Sequence, residues 1–451
     1  MVASIACGSS SSDSRGGEAG SGITNSSLTS IGSAGSEGES GSGGSGSAEQ
    51  GTGGTMASAD ETAGPSSNSN DDDGPKFDLG TPDGGVGCEG GGGDTSGDGL
   101  HSFIWIANSG QGTVSKINTQ TMVEEGRYIV RPDSAGNPSR TSVALTGNVA
   151  VANRAGGVVK IYANPDDCAE SNGMAGLQTS SGAADILPWG TEECIAWYTA
   201  FDYTTQRPVA WAAGEWNNSS CSYVNEKLWT AGGYNAGVAD VLLLDGETGV
   251  VENMVSIPSV IGWAQLYGGA VDPDGNFWTV DHNWDGASTL IRVNRSDMSY
   301  DTWPVTGQVH YGLTVDPEGR AWLCGNGGAS RFDPVPETWT HLAPLNAGSA
   351  LGGCMTDGQG TLWHSPYPNA QLVGIDTETV SIVETIPIPA YVHGVSIDFD
   401  GNVWGVEFSG TRAFRVDPNT MTVDTYDGLV GAYTYSDMTG FQLSSVGPPT
   451  G

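Results

Sequence analysis

The sequence contains few basic residues: 16 Lys and Arg stand against 52 Asp and Glu, for a formal net charge of −36. Nucleic acids and anionic lipid surfaces are bound through basic patches, so this composition argues against both as partners. The sequence also lacks an apolar run of about 18 residues, the length that a membrane-spanning helix needs. Walker loops, dinucleotide-binding fingerprints and nucleophile elbows are absent as well.

Residues 1–100 have almost no aromatic or aliphatic side chains and consist mainly of Gly, Ser, Asp and Glu. Such a stretch cannot bury enough apolar surface to offset the entropy lost on ordering. We therefore predict a disordered, acidic, Gly/Ser-rich tether over 1–100. Residues 101–446 are long enough for one large domain.

A Trp returns in a repeated phrase, in which a turn of small or acidic residues precedes an apolar strand. It occurs at Trp105, Trp229, Trp278, Trp322, Trp363 and Trp404. The last four are 44, 41 and 41 residues apart. A period of about 40–45 residues is typical of four-stranded units that stack on copies of themselves. The pattern predicts an all-β fold, a seven-bladed β-propeller over 101–446.

The seventh unit shows the predicted hairpin most clearly, with strands at 392–397 and 403–408 joined by a turn at 398–402. In the second unit Ala150 takes the place of the Trp, and the wide spacing that follows it predicts an insertion over about 163–223. The first unit lacks a first strand. We expect the segment from Tyr435 to Leu443 to supply it, which makes a C-terminal strand close the ring and removes exposed edges.

The seven cysteines indicate an oxidising compartment. With Cys7 set aside, the other six allow 15 pairings. We favour Cys168–Cys194 and Cys324–Cys354, with Cys88 and Cys221 left over. CxxC spacing is absent, which argues against structural zinc.

The segment Ser4-Ile5-Ala6-Cys7, followed by Gly and Ser, resembles the lipobox of bacterial lipoproteins. The resemblance implies an exported envelope lipoprotein, periplasmic or on the outer surface, that is lipidated at Cys7 and contacts the membrane only through this anchor. Only six residues precede Cys7, too few for a signal peptide. Either the true start lies upstream or the likeness is accidental.

One hairpin carries a candidate acid–base pair. If the turn of the seventh unit centres on Asp400, His393 lies directly opposite Glu407, where cross-strand Cβ atoms are about 5 Å apart. A neighbouring carboxylate raises the pKa of an imidazole, which suits general acid–base catalysis. We predict that this pair lies at the mouth of the central channel.

The repeated Asp-x-(Asp/Glu)-Gly turns, together with Val392-His393-Gly394-Val395 and Glu407 fourteen residues after His393, resemble the virginiamycin B lyase family. That resemblance implies a carbon–oxygen lyase that opens a cyclic depsipeptide by elimination, with His393 as general base and Glu407 as a ligand of Mg²⁺. The family has a second metal carboxylate where this chain has Tyr391. Its substrate-contacting His corresponds to the region 351–354, which contains no His here.

Further polar residues are expected at the same mouth. Tyr435, Tyr311 and His310 are candidate substrate contacts, and Asp281, His282 and Tyr267 lie near them in the predicted register. Polar residues also line the wet mouth of any propeller without a function. Trp189, Trp197, Trp211 and Trp216 crowd the predicted insertion, where they serve either a binding surface or the packing of the insertion against the ring.

These observations leave three hypotheses. The first is a tethered, exported, monomeric propeller that binds a small molecule, glycan or protein at its channel mouth and aromatic insertion. The second is the metal-assisted lyase, for which Mg²⁺ is the one cofactor considered. The third is a purely structural envelope protein, because propellers serve all three purposes.

Overall fold

A computed structural model describes residues 103–217, 219, 222–234, 237–260, 264–283, 288–307, 311–325, 328–342 and 351–447. The predicted tether over 1–100, Cys7, Cys88, Cys221 and His310 lie outside the described residues. Within them, no helix combines the length and apolar character that a membrane span requires.

The described residues form seven successive antiparallel sheets, the blades of a β-propeller. Blade 1 contains β1 (Phe103–Asn108), β2 (Thr113–Asn118) and β3 (Glu124–Ile129), and blade 2 contains β4 (Pro138–Val143), β5 (Val149–Asn153), β6 (Val158–Ile161) and β7 (Ile195–Thr199). Blade 3 contains β8 (Thr205–Ala212), β11 (Lys227–Gly233), β12 (Gly237–Asp245) and β13 (Val251–Val260), with β9 (Glu215–Asn217) and β10 (Ser222–Val224) forming a separate hairpin.

Each of the remaining blades has its four strands in chain order. Blade 4 contains β14 (Leu266–Val271), β15 (Phe277–Asp281), β16 (Thr289–Val293) and β17 (Tyr300–Pro304), and blade 5 contains β18 (Gly312–Val315), β19 (Ala321–Gly325), β20 (Gly328–Asp333) and β21 (Thr338–His341). Blade 6 contains β22 (Cys354–Thr356), β23 (Thr361–His364), β24 (Gln371–Asp376) and β25 (Ser381–Pro387), and blade 7 contains β26 (Val392–Ile397), β27 (Val403–Glu407), β28 (Arg412–Asp417) and β29 (Thr422–Asp427).

The first strands of successive blades contact one another, from β4 and β8 through β14, β18 and β22 to β26, and so surround the axis. The prediction of an all-β, seven-bladed propeller is confirmed. Helical structure in the described part of the chain amounts to a 3₁₀ turn at Pro165–Asp167 and α1 (Phe441–Val446).

The repeated Asp–Trp phrase has a specific structural role. In blade 7, Asp398 Oδ1 accepts the backbone N–H groups of Asp400 and Asn402 at 3.0 and 2.8 Å, and Asp398 Oδ2 accepts the indole N–H of Trp404 at 2.8 Å. Gly401 completes the turn with φ 81°, a conformation that favours Gly. One carboxylate thereby fixes both the turn and the Trp that fills the space between blades.

The same arrangement recurs in two other blades. The indole of Trp278 donates to Asp272 at 2.9 Å in blade 4, and that of Trp322 donates to Asp316 at 2.8 Å in blade 5. All three indoles are fully buried. The period seen in the sequence is therefore the spacing of these fixed indoles.

The segment 163–223, predicted as one insertion, contains two strands of the ring. β7 is the outer strand of blade 2, and β8 is the inner strand of blade 3. The residues outside the regular blades form a loop between β6 and β7 and the hairpin of β9 and β10. The prediction missed β8 because this hairpin separates β8 from its partner β11, so the regular distance from inner strand to Trp is lost.

The end of the chain closes the ring. The backbone N–H of Tyr433 donates to Ala107 at 3.1 Å, and that of Trp105 donates to Met438 at 2.8 Å. We call residues 432–438 the closing segment; it runs along β1 as an irregular inner strand of blade 1. Behind it, Gln442 of α1 donates to the carbonyl of Val271 at 3.1 Å, so the helix packs against inner strands.

Both favoured disulfides are present. Cys168 and Cys194 join the loop between β6 and β7 to the start of β7, and Cys324 and Cys354 link blades 5 and 6. These two bonds fit the oxidising compartment that the cysteine content indicates.

Candidate functional site

Four inner strands carry one extra residue near the point where they begin. In β26, Val392 pairs with Glu407 and Gly394 with Val406, so His393 has no cross-strand partner. The same shift occurs at Ser139 in β4, and in β8 and β14 between Gln206 and Val209 and between Tyr267 and Ala270. Such bulges re-aim side chains and are common beside functional sites.

Side chains from these strand beginnings meet on the axis of the ring, together with residues of the closing segment. We call them the axial cluster: Arg140, Arg154, Arg207, Tyr267, Tyr311, His393, Tyr433 and Tyr435. Most of them are buried, whereas Arg154 and Tyr433 are only half-buried. These two residues form the more accessible side of the cluster.

Three phenol groups form the centre of the axial cluster. The Tyr267 hydroxyl lies 2.7 Å from that of Tyr311 and 2.6 Å from that of Tyr433, and the Tyr311 and Tyr433 hydroxyls also contact each other. His393 extends this network, with Nε2 at 2.9 Å from the Tyr311 hydroxyl and Nδ1 at 3.0 Å from the Tyr391 hydroxyl. The imidazole is therefore held by phenols on both sides.

The arginines lie against the faces of these rings. The Arg140 guanidinium carbon is 3.2 Å from the ring centre of Tyr435 and 4.6 Å from that of Tyr267, and Arg154 lies 4.1 Å from the ring centre of Tyr433. Stacking of this kind is a favourable cation–π arrangement. Neither Arg140 nor Arg154 forms an ion pair with a carboxylate of the described residues.

Arg140 presents an unused hydrogen-bonding edge. Its Nη1 donates to the carbonyl of Ser139 at 2.9 Å, but Nε and Nη2 are buried and have no hydrogen-bond partner among the described residues. The ring of Tyr435 covers Arg140, and the buried hydroxyl of Tyr435 also has no hydrogen-bond partner among the described residues. Nε and Nη2 form the side of a guanidinium that can bind a carboxylate through two parallel bonds.

The charges of the cluster shift its pKa values. Burial lowers the pKa of Arg140 to about 10, an effect that nearby phenols partly oppose. Burial raises the pKa of Tyr311 well above its ordinary value, and it raises that of Tyr267 as well. For Tyr433 burial also acts upward, but Arg140, hydrogen bonds from Tyr267 and Tyr311, and Arg154 outweigh it, so the pKa of Tyr433 is lowered.

The predicted pair of His393 and Glu407 is not formed. The bulge at His393 places Val392 opposite Glu407, whose carboxylate instead accepts from Arg412 Nε at 3.0 Å and from the backbone N–H of Thr411 at 3.2 Å. The expected rise in the imidazole pKa is also wrong. Burial, together with the positive charges of Arg140 and Arg154, lowers the pKa of His393 well below its ordinary value.

The residues near His393 do not fit a Mg²⁺ site. No group of three or more His, Cys, Asp or Glu side chains within the described ranges could hold a metal ion. Glu407 is engaged by Arg412, and Tyr391 hydrogen bonds to His393 where the resemblance requires a carboxylate. Mg²⁺ is usually held through one or two carboxylates with water and substrate.

The other predicted site residues are distributed unevenly. Tyr311 and Tyr435 belong to the axial cluster, and His282 stacks on Tyr267 with ring centres 4.7 Å apart. Asp281 is buried at the end of β15. Their roles in binding remain predictions.

The aromatic side chains of the expected insertion mostly pack against protein. Trp211 is fully buried in the core of the ring, and the indole N–H of Trp197 donates to the carbonyl of Gly246 at 3.1 Å. Trp189 packs edge-on against Tyr198, and Trp216 against Tyr223. These contacts favour the packing alternative for Trp197 and Trp211.

Sequence reasoning missed Arg140, Arg154, Arg207 and Tyr433. A usable signal precedes each Trp: Tyr267, Tyr311 and His393 each stand 11 residues before the Trp of their blade, and Ser139 stands 11 residues before Ala150. Arg140 is thus next to the equivalent position in blade 2. The 11-residue spacing does not identify Arg207, because the hairpin of β9 and β10 lengthens the distance to the Trp of its blade. It does not identify Tyr433 either, because Tyr433 lies at the opposite end of the chain from its blade.

No protein-family model matches this chain, and no curated protein matches it. Among solved structures, it is similar to a functionally unknown protein from Desulfotomaculum acetoxidans DSM 771, with a TM-score of 0.50 and 11% identity over 74% of this chain and 100% of that one. Virginiamycin B lyase from Staphylococcus aureus aligns with a TM-score of 0.46 and 15% identity over 66% of this chain and 89% of that one. A streptogramin B lyase structure aligns with a TM-score of 0.38 and 19% identity. The alignment covers 45% of this chain and 65% of the lyase chain. The likeness shows the fold alone.

His393 gives the fold a measurable pH dependence. Its pKa is lowered in the folded state, so below about pH 6.5 the unfolded chain binds more protons and stability falls as the pH falls. Replacing His393 with Gln removes about 1.4 kcal/mol of this loss per pH unit. Urea unfolding at several pH values measures it. Burial lowers the pKa of His364 to about 4. Because His364 is unchanged in the variant, its contribution is the same in both proteins and drops out of the difference between them. Parallel stability curves for the two proteins would contradict the assignment.

Proposed function

We propose that this protein binds a small carboxylate-bearing ligand at the axial cluster of its propeller, with Arg140 as the principal contact. The observation that carries the proposal is the buried guanidinium edge of Arg140, whose Nε and Nη2 lack partners among the described residues. A buried charge without a partner is costly to a fold, which favours a ligand as the reason for its retention. Arg154 adds a second positive charge to the cluster, against the ring of Tyr433.

The geometry favours a carboxylate on a small molecule over a protein surface. Arg140 is fully buried and stacked on Tyr435, so only a slender group reaches it. The planar Nε and Nη2 edge matches the two oxygens of a carboxylate. The surrounding phenol rings of Tyr267, Tyr311 and Tyr433 offer apolar faces and hydroxyl groups to the rest of such a ligand.

We further propose that binding takes place outside the cytoplasm, on an exported and lipid-anchored monomer. The two disulfides and the lipobox-like segment around Cys7 support this location. The elimination implied by the resemblance has no comparable support, because His393 lacks the carboxylate neighbour on which that hypothesis depended.

Calorimetric titration with benzoate, galacturonate and sulfate tests the proposal, with the uncharged benzamide as the matched ligand control. Replacing Arg140 with Gln is expected to weaken carboxylate binding by about a hundredfold, since two charge-assisted hydrogen bonds contribute about 3 kcal/mol. Arg140→Lys keeps the positive charge but lacks the planar pair of N–H donors, so it is expected to give an intermediate loss of carboxylate affinity.

Two controls separate binding from folding. Arg292→Gln removes a surface guanidinium that pairs with Asp301 in blade 4 and should leave binding unchanged. Arg140→Gln should melt at the wild-type temperature or above it, because it removes an unpaired buried charge. Equal binding by wild type and Arg140→Gln, or no binding of any anion tested, would refute the proposal.

A further inference from the structure

Of the three tyrosines whose hydroxyls meet at the centre of the axial cluster, Tyr433 is the one whose ring lies near both Arg140 and Arg154. Arg154 lies 4.1 Å and Arg140 6.0 Å from its ring centre. Its oxygen is within hydrogen-bonding distance of the hydroxyls of Tyr267 and Tyr311, and in each of these pairs either oxygen can be the donor. Neighbouring hydroxyls that can donate to the phenol oxygen, together with two cations near the ring, are surroundings that stabilise a phenolate.

Charged and titratable groups from several neighbouring strands lie near Tyr433. Arg140 comes from β4, Arg154 follows β5, Tyr267 belongs to β14, Tyr311 precedes β18 and His393 belongs to β26. Arg207 of β8 adds positive charge near Tyr267, with its guanidinium carbon 5.3 Å from that ring centre. Among these titratable groups only the three tyrosines can become negative, and neither Arg140 nor Arg154 forms an ion pair with a carboxylate of the described residues.

The contact of Arg154 with its ring distinguishes Tyr433 from the other two tyrosines of this hydroxyl triangle. Burial raises the pKa of Tyr267 and Tyr311, whereas that of Tyr433 is lowered by its donors and by the arginines. His393 is held neutral by its burial, so it does not supply a proton in the neutral range. Any negative charge within the triangle therefore resides on Tyr433.

We propose that Tyr433 makes carboxylate binding proton-coupled. In the ligand-free site its phenolate oxygen balances Arg140 and Arg154. When a carboxylate takes over this role, Tyr433 takes up one proton from solvent. An O–H bond forms on Tyr433 and no bond of the ligand breaks, so the net process is binding of the carboxylate together with a proton. This inference rests on the proposed function of the axial cluster.

The coupling fixes the sign of the pH dependence. A bound anion favours the protonated phenol, so affinity falls as the pH rises above the ligand-free pKa of Tyr433, by about tenfold per pH unit. The loss ends once the pH passes the higher pKa of the ligand-bound state. Replacing Tyr433 with Phe keeps the ring that faces Arg154 but removes the ionisable oxygen, so the affinity of this variant should not depend on pH in that range.

The test is calorimetric titration of the full chain with benzoate at about pH 8, in two buffers of different ionisation enthalpy; benzoate does not change charge near this pH, and Arg140, with a pKa of about 10, stays protonated. The wild type is expected to take up protons on binding, in a number per ligand set by the fraction of Tyr433 that is ionised beforehand, and Tyr433→Phe none. Tyr300→Phe, a replacement on the exposed outer strand β17, is the matched control and should behave as wild type.

A ligand-free measurement complements the titration. The tyrosinate absorbance of the wild type should show one phenol ionising below the others, and Tyr433→Phe should lack that step. Benzoate binding without proton uptake would overturn the inference and leave the proposed function standing. Absence of binding by every anion tested would overturn both. If Tyr433→Phe does not fold, the proton count of the wild type decides alone, and a count of zero refutes the coupling.

Discussion

A chain that ends at Leu429 is expected not to form a stable propeller. The deletion removes the closing segment and α1, which bury Tyr435, Met438, Phe441, Leu443 and Val446. Burial of such side chains contributes about 1.5–3 kcal/mol each, so the total approaches the whole stability of a typical domain, about 5–15 kcal/mol. Blade 1 would also lose its inner strand and expose the edge of β1.

Circular dichroism, thermal melting and limited proteolysis measure the effect of this deletion. The matched control ends at Gly447, which retains every described residue of the closing segment and α1. Its melting temperature should equal that of the full chain. A synthetic peptide covering 430–447 should restore the cooperative transition of the shortened chain, because the closing segment binds β1 through specific backbone bonds. A shortened chain that melts at the wild-type temperature would rule out this role.

The fold was predictable because its repeat depends on residues whose hydrogen bonds fix their positions in the sequence. An Asp that must accept from the turn and from an indole leaves the same spacing in blades 4, 5 and 7, at Asp272, Asp316 and Asp398. The disulfide between Cys324 and Cys354 followed from the same register, since the two residues end and begin strands of neighbouring blades.

The candidate site was only partly predictable, because its geometry depends on single-residue irregularities. The pairing of His393 with Glu407 assumed a regular hairpin, and one extra residue in β26 removed it. Periodicity in a sequence does not reveal such a bulge, since the Trp spacing is unaffected by it. Tyr311 and Tyr435 were identified because the sequence pattern placed these aromatic residues at the channel mouth.

The arginines escaped for a different reason. In a chain of net charge −36, three of the 16 basic residues gather on the axis, and composition alone hides this local reversal of sign. Arg140 follows the bulged Ser139 in β4, Arg207 lies within the bulge of β8, and Tyr433 comes from the far end of the chain. Only ring closure brings Tyr433 beside Arg154. The chemistry of the site is therefore a property of the tertiary structure.

The strongest single substitution expected to destabilise the ring is Asp398→Ala. Asp398 is fully buried, and its removal leaves the indole N–H of Trp404 and the backbone N–H groups of Asp400 and Asn402 without their acceptor. Each buried polar group left unsatisfied costs about 1–3 kcal/mol. We expect the free energy of unfolding to fall by about 3–5 kcal/mol, measured by urea denaturation.

Asp400→Ala is the matched control, because Asp400 lies in the same turn with an exposed side chain. A surface change of this kind should alter stability by no more than about 0.5 kcal/mol. Asp398→Asn keeps one acceptor oxygen and should fall between the two. If Asp398→Ala and Asp400→Ala proved equally stable, the buried carboxylate would not be what fixes the indole. Because Asp272 holds Trp278 in the same way, its replacement by Ala should reproduce the loss in blade 4, as expected if the ring is built from repeated, separately fixed units.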